Sequence, residues 1–315
     1  MAAHGIPIVA RAAQTRDDPE MDFAELVSGS TPALADGAMG TLLFEYGLSF
    51  GEAPETWNLL HPELVRKVHR GYLEAGSQIV LTNTFGGNRS RLAMHNLEDR
   101  VPELNRTAAV LARSEVEQGG WDALVAGDIG PTGEIFEPLG TLSFEDAVEI
   151  FEEQAAALAG GGVDLFWVET LAAVEEGNAA LEGIRRAAPE LPVIVTMTFD
   201  THGRTMMGLT PEDACAELTS HGAAAVGGNC GNGAAEVLAV VTRMKAVAPP
   251  GTAIVAKANA GVPKLAGDRA VYPGTPDDAA AYAIAARDAG ANLIGGCCGT
   301  SPAHLVAMQR ALAEH

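Results

Sequence analysis

The sequence predicts an α/β fold, a single-domain (β/α)8 TIM barrel, and three observations support this prediction. Eight short apolar runs alternate with longer helical patterns along the chain. Several helical patterns open with a capping residue followed by proline, and the apolar runs lack the strict polar–apolar alternation of a half-exposed strand. Such strands are typical of a parallel sheet covered by helices, and eight β-then-α units fit a barrel better than an open doubly wound sheet, which is the alternative.

The strand candidates and helix starts can be placed in chain order. The candidates are ALADGAMG near residue 33, QIVLTNTF near 78, ALVAGDIG near 123, VDLFWVET near 163, PVIVTMTF near 192, AAVGGNCG near 224, AIVAKANAG near 253 and NLIGGCCG near 292. Thr210-Pro211, Thr275-Pro276 and Ser301-Pro302 mark helix starts, because a hydroxyl caps a free amide and proline fits the first helical position. No linker rich in Pro, Gly or Ser divides the chain, so residues 22–315 are predicted to form the barrel and residues 1–21 a flexible leader.

The composition excludes several classes of partner. The chain has 41 acidic and 20 basic residues and a formal charge of −21, which would repel nucleic acid and an anionic membrane surface. No apolar stretch approaches the roughly 18 residues that cross a bilayer. Four cysteines, two of them adjacent, do not make a disulfide framework and fit a reducing cytoplasm in which thiols stay free to bind metal.

Polar side chains are concentrated where the predicted strands end. In a barrel, the carboxyl ends of all strands meet at one mouth, which is where barrel enzymes keep their chemistry. These side chains are therefore expected to be neighbours despite their separation in sequence. They are Asp36, Thr82, Asn83, Asp128, Glu169, Asn229, Cys230, Asn259, Cys297 and Cys298.

Three cysteines at strand ends predict a metal site. Cys230 ends the sixth strand, and the glycine-flanked pair Cys297 and Cys298 ends the eighth. Three thiolates with an open fourth position are typical of a catalytic Zn²⁺ site, and a glycine-rich bend would let adjacent cysteines face one ion. The alternatives are buried cysteines that only fill the core and a vicinal disulfide, which needs strained geometry and an oxidising compartment. Cys215 lies inside a helical pattern and is predicted to pack there.

With these residues in place, the chain resembles the homocysteine S-methyltransferase family. Its motifs follow most nearly the homocysteine-binding module of cobalamin-dependent methionine synthase, and they spread over almost the whole chain from residue 33 onward. The matching stretches are DGAMGT at 36–41, TNTF at 82–85, GDIGPTG at 127–133, ET at 169–170, GNC at 228–230, NAGVP at 259–263 and GGCCGTSPAH at 295–304.

The resemblance implies a site and a reaction. Cys230, Cys297 and Cys298 would bind catalytic Zn²⁺, and Asn259 would occupy the fourth position before substrate arrives. Homocysteine would then bind the metal as a thiolate, the form that attacks a methyl group and leaves as the thioether of methionine. Asp36 and Glu169 would hold its ammonium group, and the backbone amides of Gly37, Ala38 and Met39 would receive its carboxylate.

The sequence leaves two possible sources of the methyl group. The chain carries neither a pterin-binding module nor a DxHxxG corrinoid motif, since DTHGRT at 200–205 lacks the final glycine. We therefore expect the homocysteine-activating component of a split methionine synthase, with methylcobalamin supplied by a separate corrinoid protein. The alternative is a free donor such as betaine or S-methylmethionine, although Gly86-Gly87 stands where betaine-dependent relatives carry a tyrosine. An alternative of another class is a non-catalytic scaffold that binds zinc.

Overall fold

Eight parallel strands form a barrel in the computed structural model, which describes residues 21–266 and 269–314. The strands are β1 Ala33–Leu34, β2 Ile79–Leu81, β3 Leu124–Ile129, β4 Leu165–Leu171, β5 Val193–Met197, β6 Ala225–Cys230, β7 Ala253–Ala258 and β10 Leu293–Gly296. Their order around the barrel is β1-β10-β7-β6-β5-β4-β3-β2, and a parallel bridge from Ala35 to Ile79 joins β1 to β2. The predicted (β/α)8 barrel and its eight strands are confirmed. Apart from Met21, the predicted leader lies outside the described residues.

Helices separate the barrel strands and cover their outer surface. They are α1 Phe23–Ser28, α2 Met39–Glu45, α3 Trp57–Leu60, α4 Pro62–Glu74, α5 Arg89–Ala93, α6 Val101–Gly119, α7 Phe144–Gly160, α8 Val174–Ala187, α9 Pro211–Ser220, α10 Ala234–Val247, α11 Pro276–Asp288 and α12 Pro302–Glu314. Short 3-10 turns lie at Pro54–Thr56 and Glu98–Arg100, and an antiparallel pair, β8 Lys264–Ala266 and β9 Arg269–Val271, follows β7.

All three proline-marked helices begin where the sequence predicts, but the hydroxyl of Ser301 contacts the ring of His304 instead of capping an amide. Thr210 and Thr275 accept hydrogen bonds from the amides of Asp213 and Asp278, each three residues further along the chain. Satisfying an amide that has no partner within the helix is what favours a hydroxyl residue at this position. None of the helices in the described part of the chain is long and apolar enough to cross a membrane.

Apolar side chains fill the lower part of the barrel interior. They include Ile79, Leu124, Ala126, Leu165, Trp167, Ile194, Ala225, Val255 and Leu293. Because alternate residues of a strand face the same side, the next inward positions are Asp128 on β3, Glu169 on β4 and Lys257 on β7. An ionic layer therefore rests on an apolar core, just below the carboxyl ends of the strands.

A larger apolar core lies between the strands and the helices. Cys215, on α9, is fully buried in this core together with Leu218 and Met244. The sequence prediction that Cys215 packs within a helix agrees with this position. Cys215 therefore packs in the core, apart from the cysteines at the barrel mouth.

Candidate active site

A cavity of about 1070 Å³ opens at the carboxyl ends of the barrel strands. Its floor includes Asp36, Asp128, Glu169 and Lys257, and its wall includes all three strand-end cysteines. Phe44, Phe50 and Tyr272 line its outer part. The volume is at the upper end of that of small-molecule sites, so it has room for an amino acid and a second reactant.

The thiols of Cys230, Cys297 and Cys298 meet at one point of this cavity. Their sulfur atoms all lie within 4.8 Å of one another, and all are free thiols. β10 ends at Gly296, so the two adjacent cysteines belong to a turn in which the amide of Thr300 donates to the carbonyl of Cys297 at 3.1 Å. Leaving the strand is what allows neighbouring side chains to face the same position.

The donor set fits a soft divalent metal ion. Hydrogen bonds from Cys230 and Cys297 lower the pKa of Cys298, whereas hydrogen bonds to the other two thiols, together with burial, raise the pKa of Cys297. Three thiolates so close together need a cation to neutralise them, and sulfur donors with one more position suit Zn²⁺. Nearby, the Nδ2 of Asn259 donates to the carbonyl of Gly231 at 2.8 Å, and its buried Oδ1 has no hydrogen-bond partner within the described chain.

A side-chain clamp holds Cys230 in an unusual conformation. Both Cys230 and Thr170 have left-handed backbone angles, with φ of 57° and 66°, which costs free energy in residues other than glycine. The amide of Thr170 donates to Oδ1 of Asn229 at 2.9 Å, and Nδ2 of Asn229 donates to the hydroxyl of Thr170 at 2.7 Å. The same Nδ2 lies 3.5 Å from the sulfur of Cys230. Asn229 thus links both strained residues.

Replacing Asn229 by alanine is expected to weaken metal binding about 10- to 100-fold, the usual effect of removing a partner of a metal ligand. The clamp would be lost, and the sulfur of Cys230 would no longer be held toward the other two thiols. Competition with a chromophoric chelator measures the metal affinity directly. As a control, Asn178→Ala removes an exposed amide contact to Glu217 on the helical surface and should leave metal affinity unchanged. Equal affinity of the Asn229 variant and the unaltered protein would contradict the role of the clamp.

Lys257 is a buried cation that sequence reasoning missed. Its Nζ donates to Oε2 of Glu169 at 3.0 Å, lies 3.8 Å from Oδ1 of Asp36, and stands 5.3 Å from the centre of the Trp167 ring. Burial acts to lower the pKa of Lys257, but the charges of Glu169 and Asp36 outweigh it and raise the pKa. The available signal was a lysine inside the apolar run AIVAKANAG, at the inward-facing parity of Val255.

Asp36 is tied to both β2 and β7. The amide of Leu81 donates to Oδ2 of Asp36 at 2.8 Å, and Oδ1 faces Lys257. Burial raises the pKa of Asp36 to about 7, and the neighbouring charge of Lys257 opposes this rise. Near neutral pH, the neutral and ionised forms of this carboxyl are therefore similarly populated, and an additional cation would favour the ionised form.

Asp128 is the third buried carboxyl beside Lys257, and these two residues together with Asp36 and Glu169 make up the ionic layer. Its side chain is buried, and Oδ1 makes no hydrogen bond to any residue that the structure describes. Burial and the charge of Glu169 raise the pKa of Asp128 well above its usual range. The sequence placed Asp128 at the barrel mouth without assigning it a role.

The loop from Asp36 to Met39 is anchored to the turn that follows β10. The amide of Ala38 donates to the hydroxyl of Thr300 at 3.1 Å, and the hydroxyl of Tyr72 shares its proton between the carbonyl oxygens of Ala38 and Thr300, which lie 2.9 and 3.0 Å away. A Cβ on Gly37 would lie 2.6 Å from the hydroxyl oxygen of Thr300, so this position has no space for a side chain. The structure thus brings Asp36, Gly37, Ala38 and Met39 to the wall of the same cavity as the thiols.

Comparison with known proteins gives one family. A family model described as Homocysteine S-methyltransferase matches residues 33–312. Methionine synthase from Mycobacterium leprae (strain TN) is 32% identical over 295 residues, which cover 89% of this chain and 24% of that protein. The chain therefore spans about a quarter of the length of that relative.

Solved structures agree with this result. The oxidized form of the homocysteine methyltransferase MmuM from Escherichia coli has a TM-score of 0.76 and 26% identity, covering 91% of this chain and 98% of that one. The metallated form of MmuM has a TM-score of 0.74 and 25% identity, covering 90% of this chain and 98% of that one.

Proposed function

Because the chain belongs to the homocysteine S-methyltransferase family, we propose that it transfers a methyl group to the sulfur of homocysteine at the barrel mouth, forming methionine. The observation that carries this proposal is the presence, in one cavity, of three converging thiols and buried carboxylates. The thiols suit a metal that binds the substrate sulfur, and the carboxylates suit the substrate ammonium. The family is one of methyltransferases, so the non-catalytic scaffold is not retained.

Cys230, Cys297 and Cys298 would hold Zn²⁺, with the unpartnered Oδ1 of Asn259 at the fourth position before substrate binds. When bound, Zn²⁺ stabilises a substrate thiol as the more nucleophilic thiolate. The cysteines add negative charge around the ion, which preserves electron density on the substrate sulfur. The clamp formed by Asn229 and Thr170 keeps Cys230 in place for this task.

The remaining floor of the cavity would bind the amino-acid part of homocysteine. Asp36 and Glu169 face the cavity and accept the ammonium group, while Lys257 holds both carboxylates from below. The amide of Ala38 already donates to Thr300, so the substrate carboxylate depends mainly on the amides of Gly37 and Met39. These contacts orient the substrate so that its sulfur points to the thiols.

We assign the methyl donor to methylcobalamin carried by a separate corrinoid protein. Large apolar side chains are exposed on the connections that follow β1, β3 and β5, at the same end of the barrel as the cavity. Phe50, Leu139 and Met206 are 91%, 81% and 73% exposed, respectively. Apolar surface exposed at the rim of a site is a feature of protein interaction surfaces, and we take these three side chains as support for a docking partner.

A free quaternary ammonium donor has less support from the cavity wall. Gly86 stands near the position where betaine-dependent relatives carry a tyrosine, and its amide donates to Oε1 of Glu55 at 2.7 Å. A Cβ on Gly86 would lie 2.9 Å from the same oxygen, so Glu55 occupies the space that an aromatic side chain would need. An aromatic box for betaine is therefore absent from this part of the described wall.

A donor panel tests this assignment. Zinc-loaded protein and homocysteine are incubated with free methylcobalamin, a methylated corrinoid protein, betaine or S-methylmethionine, and methionine is quantified. Methionine is expected with both corrinoid donors and faster with the protein-bound one, while a Cys230→Ser variant gives the background. Turnover with betaine or S-methylmethionine at an ordinary enzymatic rate of about 1–1000 s⁻¹ would show that the methyl donor is a free small molecule and not a corrinoid protein. No methionine from any donor would reject the proposed function.

A further inference from the structure

The ionic layer contains more carboxyl groups than it needs to neutralise its lysine. Asp36, Asp128 and Glu169 are 2%, 6% and 7% exposed, and Lys257 is 3% exposed. Burying charged groups is costly unless opposite charges and hydrogen bonds compensate them. Three acids facing one lysine cannot all be ionised without a further positive charge, so a cation that enters the floor of the cavity would favour their ionised forms.

Two buried carboxylate oxygens of this layer have no hydrogen-bond partner in the described part of the chain. Lys257 donates to Oε2 of Glu169, and Leu81 donates to Oδ2 of Asp36. Oδ1 of Asp36 and Oδ1 of Asp128 are buried and accept no hydrogen bond from the residues that the structure describes. Buried polar atoms without partners are rare in folded proteins, and at a cavity wall they indicate a ligand that supplies the missing donor.

The backbone places these carboxyl groups on neighbouring strands. The carboxylate of Asp36 is bound to Leu81 of β2, and Leu81 pairs with Ala126 of β3. Asp128 is the next inward-facing residue of β3 after Ala126, and it pairs with Trp167, two residues before Glu169 on β4. The three side chains therefore lie side by side along one wall of the cavity.

We propose that Asp128 is a third carboxylate of the substrate ammonium site and makes the site selective for thiols that carry a primary ammonium group. A primary ammonium has three N–H donors, and Asp36, Asp128 and Glu169 provide one acceptor oxygen for each. This inference rests on the proposed function and adds to it the residue that recognises the amino group. The arriving ammonium supplies both the missing positive charge and the missing hydrogen bonds.

The test compares two ligands that differ only in the amino group. Binding of L-homocysteine and of its des-amino analogue, 4-mercaptobutanoate, to the zinc-loaded full chain is measured by calorimetry. For Asp128→Asn, the affinity for L-homocysteine is expected to fall about 10- to 100-fold, because a charge-assisted hydrogen bond is lost. The affinity for 4-mercaptobutanoate should remain within about twofold, since this ligand has no ammonium to place.

Two controls separate recognition from a structural effect. Asp122→Asn removes a carboxylate at the opposite end of the β3 region, where the side chain is exposed, and should leave both affinities unchanged. The substrate-free Asp128→Asn protein should be at least as stable to urea as the unaltered chain, because it no longer buries an unpartnered carboxyl.

The possible outcomes distinguish this inference from the proposed function. If the Asp128 variant binds L-homocysteine as tightly as the unaltered protein, or loses the same factor for both ligands, Asp128 does not recognise the ammonium. In that case homocysteine binding by the unaltered protein still supports the proposed function. If the unaltered zinc-loaded protein binds no homocysteine, both the function and the inference are rejected.

Discussion

Replacing Cys297 by serine is expected to abolish zinc retention and methyl transfer while leaving the barrel folded. The side chain is buried beside the thiols of Cys230 and Cys298, and a serine hydroxyl does not ionise to replace the thiolate. Removing an outer partner of a ligand already costs about 10- to 100-fold in metal affinity, so losing the ligand itself should cost more than about 100-fold. Elemental analysis of reductant-protected protein after gel filtration measures zinc, and methionine formation measures activity.

Cys215 provides the matched control for this experiment. It is fully buried on α9, away from the cavity wall, so Cys215→Ser changes the same atom without removing a proposed ligand. This variant should retain stoichiometric zinc and full activity, even though a buried hydroxyl lowers its stability. A Cys297→Ser protein that keeps one zinc per chain and normal turnover would refute the ligand assignment.

Replacing Lys257 by methionine is expected to lower the free energy of unfolding by about 3–5 kcal/mol, the usual cost of removing one partner of a buried ion pair. Methionine follows the lysine side chain as far as Cε and lacks the terminal ammonium, so Glu169 and Asp36 lose their cation. The loss of stability therefore comes mainly from unneutralised buried carboxylates and not from a cavity. Urea unfolding followed by circular dichroism measures the change.

A double variant and a surface variant test whether the broken ion pair causes the loss of stability. In Lys257→Met/Glu169→Gln, the carboxylate that Lys257 contacts at 3.0 Å is also neutral, so part of the lost stability should return. Lys264→Met replaces an exposed lysine on β8 and should change stability by less than about 0.5 kcal/mol. Unfolding of Lys257→Met at the same urea concentration as the unaltered chain would show that the ion pair contributes nothing.

Much of the active site could be anticipated because its residues follow directly after strands. Cys230, Cys297 and Cys298 were expected to converge, and their sulfur atoms do lie within 4.8 Å of one another. In a barrel, any residue at a carboxyl strand end reaches the mouth, so chain position alone is enough to predict proximity. The roles of Asp36, Glu169 and Asn259 in binding substrate or metal stay predictions.

Interior contacts were harder to anticipate. Inward parity identifies Lys257 as a residue of the barrel interior, but parity does not say which side chains it meets. Its partners Asp36 and Glu169 are 221 and 88 residues away in sequence, and the ion pairs depend on how all the strands close into a ring. The clamp between Asn229 and Thr170 likewise depends on left-handed backbone angles that no sequence pattern indicated.

Local periodicity and short motifs are enough to predict the barrel class, its eight strands, the three thiols at the strand ends and the family resemblance. Barrel closure, in contrast, sets the ion pairs of Lys257 with Glu169 and Asp36 and leaves Oδ1 of Asp128 without a hydrogen bond from the residues that the structure describes. The charge of a buried group depends on the neighbours that surround it, and in a closed barrel those neighbours come from distant parts of the chain.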